Sequence, residues 1–117
     1  MGLLVIAKEL WNRLSDPIEK GKTYRVTASG TWMDSYILTD ANGYDRWYLA
    51  PFKLLRRMPN AKWFELVGAV NRRNPFVIGN ERTFIAAESG FLWFYANDIP
   101  GFYFNNKGCV QVIVEEI

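Results

Sequence analysis

FLWFYANDIPGFYFNNKGCVQVIV, residues 91–114, sets the fold. Its two ends, FLWFY (91–95) and CVQVIV (109–114), are short runs of aromatic and β-branched side chains, the composition of strands. Between them Tyr95–Gly108 carries one acid, three asparagines, a Pro-Gly pair and four aromatic rings. A connection between strands needs only a few turn residues, so this one is read as a loop mounted at a rigid sheet end, where binding groups are commonly placed. Pro100-Gly101 suits the centre of a type II turn, because proline fixes φ and glycine supplies the positive φ. Such a turn folds Asp98 back toward Asn105-Asn106. The run Cys109–Val114 is apolar at nearly every position and predicts a strand covered on both faces, inside a sandwich or at a subunit contact, with Cys109 a small buried hydrophobe.

Outward from this stretch the same pattern repeats. Leu3–Lys8 is a first strand, and Lys22–Ser29 alternates Tyr24, Val26 and Ala28 with Thr23, Arg25 and Thr27, as a half-exposed strand does. Gly30–Tyr36 and Ile37–Thr39 lead into DANGYD, where Asn42-Gly43 predicts a two-residue hairpin. Trp47–Leu55 contains Pro51 and is expected to be an edge strand or an irregular loop. Lys62–Val70, Phe76–Ile78 and Thr83–Ala86 complete the strands, with turn signals between them. Only Leu10–Leu14 and Phe52–Met58 show helical periodicity, and a helix there is peripheral. These elements predict an all-β protein, a jelly-roll β-sandwich of about eight antiparallel strands forming one domain over residues 1–117.

Composition bounds the function. A chain of 117 residues supports one core, and 50% hydrophobic with 16% aromatic residues marks a folded protein. The formal charge of +2 gives no field for a polyanion. Arg56-Arg57 and Arg72-Arg73 are the only basic clusters and are read as solvated strand or loop ends, so nucleic acid is not an expected partner. One cysteine rules out an intrachain disulfide and leaves the compartment open. The opening MGLLVIAKEL is too short an apolar run for a signal peptide or a membrane span; a soluble protein without membrane insertion, cytoplasmic or released, is expected. Histidine is absent, which removes the commonest general base, the usual catalytic triads and the usual zinc ligand. No enzyme is expected, and any metal must be held by oxygen.

In the Tyr95–Gly108 loop one carboxylate, two side-chain amide oxygens and nearby carbonyls would suit Ca²⁺, which takes about 6–8 oxygens and accepts neutral ones, better than Mg²⁺. The same residues also suit Asx turns that satisfy their own backbone. Tyr95, Phe102, Tyr103 and Phe104 read equally as core packing or as ligand contacts. The residues alone leave both readings open.

Asn97, Asp98, Pro100, Gly101, Asn105, Asn106 and Gly108 fall in register with the pattern N-D-x-P-G-x-(Y/F)-x-N/D-N-x-G, and the stretch resembles the C-terminal signature of the PA-IL-like family of galactose-binding, calcium-dependent bacterial lectins. Weaker similarity runs through GKTYRVTASGTW and through ELVGAVN and FVIGNERTFIAAESGFLWF, so the resemblance spans roughly residues 20–114. It implies a galactose-binding-domain-like sandwich, with Ca²⁺ held by the side chains of Asp98, Asn105 and Asn106 and by the main-chain carbonyls of Phe102 and of a residue near Ser35. It places the sugar against Asp98, Ile99 and Asn105. The family also reads its sugar through a His-Pro loop; the counterpart here is YDRWYLAP, where Trp47 or Tyr48 would offer an apolar face. The lack of histidine leaves the sugar open. The expected function is a calcium-dependent carbohydrate-binding domain, with a homo-oligomer supplying avidity. The alternative is a non-catalytic structural or interaction module that keeps the sandwich without the sugar site.

Overall fold

The computed structural model describes residues 1–117 as two packed antiparallel sheets containing ten strands. The longest, β10 (Asn106–Glu116), is the axis of the larger sheet. On one edge it pairs with β1 (Gly2–Ile6), and on the other with β3 (Thr23–Ser29) and then β4 (Trp32–Asp34). Ser29 lies opposite Gln111 and Trp32 opposite Gly108, so β3 and β4 follow β10 in one unbroken register. Outside them lie β8 (Glu81–Ile85) against β3 and β5 (Ile37–Thr39) against β4. The smaller sheet runs β2 (Asn12–Arg13), β9 (Leu92–Ala96), β6 (Leu66–Val70), β7 (Arg73–Val77). Sandwich and antiparallel pairing agree with the sequence reading, and Ile37–Thr39 is a strand as expected; the strand that reading lacked is β2, two residues long and inside a stretch read as helical.

Period-two alternation explains what is inside. Tyr24 and Val26 of β3, Trp32 of β4, and Val110, Val112 and Val114 of β10 are buried, and they share one core with Leu66, Leu92, Phe94 and Ala96 of the facing sheet. Trp32 meets Phe64 edge to face, with ring centroids 5.8 Å apart. Contrary to the expectation for Cys109–Val114, β10 is covered on one face: Gln111 and Ile113 are exposed and Cys109 is half-buried. Its run of apolar letters hid an alternation between core and outer surface.

Four local expectations are corrected. Asn42-Gly43 forms a turn, with Gly43 N–H bonded to the Asp40 carbonyl at 3.1 Å, but it joins no paired strands: Thr39 pairs with Trp32 while Tyr44 bridges Trp63. The two-residue hairpin with both central residues at positive φ is Asn71-Arg72, between Val70 and Arg73. Asn71 supports it by accepting from Phe91 N–H at 3.1 Å and donating to the Ser89 carbonyl at 3.1 Å. Leu10–Leu14 contains strand β2 rather than a helical turn. Trp47–Leu55, expected as an edge strand or loop, is a 3₁₀ segment of nine residues. The strand expected from Lys62 begins at Leu66, because Phe64 sits at φ 59° and the chain turns there.

Candidate functional site

The Tyr95–Gly108 loop leaves β9 and enters β10, and its first polar residue is structural. Asn97 is fully buried. Its Oδ1 accepts from Met58 N–H at 2.9 Å, and its Nδ2 donates toward the carbonyls of Met58, Ala61 and Lys62 at 2.9, 3.3 and 3.0 Å. One side chain thus closes the Met58–Lys62 segment onto the end of β9. Arg57 closes it from the other side: its N–H donates to the Asp98 carbonyl at 3.0 Å, its Nη1 to the Leu10 carbonyl at 2.6 Å, and its guanidinium lies 3.5 Å from the Tyr95 ring centroid and 4.6 Å from that of Trp11. Arg56 is only 6% exposed and is bonded to Asp45 at 3.2 Å. This arginine pair is built into the scaffold, not solvated as the sequence suggested.

Beyond Asp98 the loop folds as predicted from Pro100-Gly101. Phe102 N–H donates to the Ile99 carbonyl at 3.0 Å and Gly101 sits at φ 93°, where a side chain would be strained. Tyr103 is buried and its hydroxyl donates to the Ala96 carbonyl at 2.5 Å; burial raises its pKa. Tyr95 and Tyr103 are therefore packing residues, while Phe102 and Phe104 are exposed.

Three oxygens at this turn are buried with no hydrogen-bond donor: Asp98 Oδ2, Asn105 Oδ1 and Asn106 Oδ1. Each partner group is oriented by the scaffold. Ile99 N–H takes Asp98 Oδ1 at 2.7 Å, which leaves Oδ2 free, and Asn106 Nδ2 donates to the Ala7 carbonyl at 3.1 Å, which turns its Oδ1 the other way. A buried acceptor left unpaired costs about 1–3 kcal/mol, and here three acceptors and no donor occur together. Burial pushes the Asp98 carboxyl up to about 7, with the Ile99 N–H and the nearby Asn106 side chain opposing the shift and the neighbouring Asp34 adding to it.

Ser35 and Asp34 enter from β4. Asp34 pairs with Asn106 across the sheet, and Ser35, at φ 57° in the β4–β5 turn, donates its N–H to the Asn105 carbonyl at 3.1 Å. The predicted residues Asp98, Asn105, Asn106 and Ser35 are thus joined at one end of the sandwich. Asp34, which the sequence marks only as one of several loop acids, has a half-buried carboxylate that accepts the Tyr44 hydroxyl, and burial raises its pKa. Tyr44 is held by its bridge to Trp63, with N–H to carbonyl distances of 2.8 and 3.0 Å in the two directions. Gly43 permits that bridge: a Cβ there would stand 2.3 Å from the Trp63 carbonyl oxygen. No spacing in the sequence signals Asp34, because only the β4–β10 register brings it beside Asn106.

Asp34, Asp98 and Asn105 open onto a pocket of about 250 Å³ walled by Ile99, Phe102, Leu49, Phe52 and Trp63. Trp47 and Tyr48 are not among its walls. They lie on the neighbouring surface, packed edge to face at 5.9 Å, and Trp47 is 87% exposed. Phe52 and Trp63 supply the aromatic surface nearest the loop, and neither carried a sequence signal beyond hydrophobicity.

No protein-family model and no curated protein matches the sequence. Among solved structures the chain is similar to one described as "EclA N-terminal domain; PllA-like lectin", with a TM-score of 0.75 and 18% identity over 99% of this chain and 95% of that one. The protein has a lectin-like β-sandwich fold. At this identity the likeness speaks for the fold, and the chemistry has to be argued from the site.

Proposed function

We propose that the protein is a non-enzymatic, calcium-dependent carbohydrate-binding domain. The observation that carries this reading is the cluster of donor-free, buried oxygens on Asp98, Asn105 and Asn106. Water or a cation can satisfy such a cluster, and a hard cation also compensates the desolvated carboxylate. Those three side chains, with the carbonyls of Ser35 and Phe102, would hold Ca²⁺. When bound, the ion offers coordination positions to two hydroxyls of a sugar and so selects their relative stereochemistry. The chain's own residues do the rest: Asp98, Ile99 and Asn105 line the pocket, and Trp63, Phe52 and Phe102 would present ring surface to the C–H face of a sugar. The lectin-like fold supports the reading.

One site of low net charge binds weakly, so avidity from an oligomer belongs to this reading. Leu4, Ile6 and Ile113 are exposed on the outer face of the β1–β10 pair, where a second copy would fit.

The test is calorimetric titration of EDTA-stripped protein with calcium, wild type against Asp98→Ala, followed by galactose and a panel of glycans. Saturable calcium heat that vanishes in the variant supports the site. Its absence at millimolar calcium returns the loop to a scaffold and favours the second reading, an interaction module. That reading draws on the exposed side chains of Trp47, Leu54 and Leu55.

A further inference from the structure

The 3₁₀ segment Trp47–Leu55 repeats every three residues, so side chains at i and i+3 stack on one face. Leu49 and Phe52 form the face turned to the Asp98 pocket. The adjacent face, Trp47, Ala50 and Lys53, borders a second groove of about 600 Å³, which shares Trp63 with the first. Two depressions therefore lie side by side, separated by one short helix and joined at one indole.

Their charge is opposite. The Asp98 pocket is lined by two acids, Asp34 and Asp98, and by no cation. The groove is lined by Arg46, Lys53, Arg56 and one acid, Asp45. Asp45 is taken by Arg56, which is also bonded to the Pro59 carbonyl at 2.7 Å and stacked 4.9 Å from the Trp63 ring centroid. That leaves Arg46 and Lys53 as exposed cations with no acid partner. Beside them stands Trp47, almost wholly exposed, a ring surface of the kind on which sugars stack.

We infer that this groove is a second subsite, for a sugar unit carrying a carboxylate, linked to the sugar held at Asp98. The inference rests on the calcium-dependent reading above and adds the class of glycan. A neutral unit's paired hydroxyls suit the calcium positions at Asp98, and the lining of that pocket holds no side-chain cation for a carboxylate. The acidic unit suits the groove, where the Arg46 guanidinium and the Lys53 ammonium meet it and Trp47 covers its ring. Room favours this order, since the groove has more than twice the volume of the pocket.

Calorimetry in calcium on matched disaccharides tests it: galactose, mannose, glucose or fucose as the first unit, and either glucose or glucuronic acid as the second. The expected result is that, in at least one pair, the acidic member binds about three- to tenfold tighter at low ionic strength. That preference falls toward one in the double variant Arg46→Gln/Lys53→Gln and in high salt. Both side chains are exposed, so circular dichroism should show an unaltered fold. Calcium heat with equal affinity within every pair, or a preference that survives the double variant, overturns the subsite and leaves the calcium reading standing. The absence of calcium heat overturns both.

Discussion

Asn97 and Asp98 are adjacent, both buried, and opposite in what their oxygens meet. Asn97 has a donor for its oxygen and carbonyls for its nitrogen, four contacts in all, each to a backbone group of Met58–Lys62. Asp98 has one N–H on one oxygen and nothing on the other, and the same deficit recurs at Asn105 and Asn106. The first residue is satisfied by the fold and therefore belongs to it. The second group is held in place by the fold and satisfied by nothing in it, and the proposed calcium site rests on that difference.

The largest expected effect falls on Asn97. Asn97→Ala leaves several backbone groups bare and should cost about 3 kcal/mol, read from urea unfolding in EDTA. An equal loss for Asp98→Asn under the same conditions would break the contrast between the two residues. Next is the gain from the partner. Calcium at a hundred times its dissociation constant should stabilise wild type by about 2.7 kcal/mol and Asp98→Asn by none, measured by the same unfolding curves. A calcium response retained in that variant would move the site elsewhere.

The pH response comes third. The Asp98 pKa is raised by burial, from the ordinary carboxylate range to about 7. Folding without calcium therefore takes up a proton between those values, and the stabilisation is complete below the unfolded pKa and lost as pH rises through 7. EDTA-treated wild type should have a higher denaturation midpoint at pH 5 than at pH 8 relative to Asp98→Asn. A flat difference across that range would show that Asp98 is not desolvated. Smallest is Trp47→Ala, which should change stability by less than about 0.5 kcal/mol, since the ring is 87% exposed. A large loss would mean that Trp47 packs rather than waits for a ligand.

Much of this was legible in the chain. Alternation in Lys22–Ser29 gave β3, the Pro100-Gly101 turn formed where the dipeptide required it, and the three oxygen donors named from one loop are the three left without donors. Other features were misread for identifiable reasons. Asn42-Gly43 has hairpin chemistry, but Tyr44 finds its partner in Trp63, so the turn joins no ladder. Cys109–Val114 looked doubly buried because Ile113 and Cys109 share the vocabulary of the core while facing out. Trp47–Leu55 reads as an edge strand around Pro51, yet a 3₁₀ segment also accommodates a residue without an N–H donor.

What the sequence determined by itself is local: strand periodicity, the turn at Pro100-Gly101, and a loop whose side chains are oxygen donors with no histidine to assist them. Those follow from backbone sterics and side-chain chemistry within a few residues. The tertiary structure decided which oxygens lost their donors, that Asp34 stands beside Asn106 while Trp47 stands aside, and that two grooves of opposite charge share Trp63. Burial and neighbourhood are set by sheet register and packing between residues far apart in the chain, and no local pattern of letters contains them.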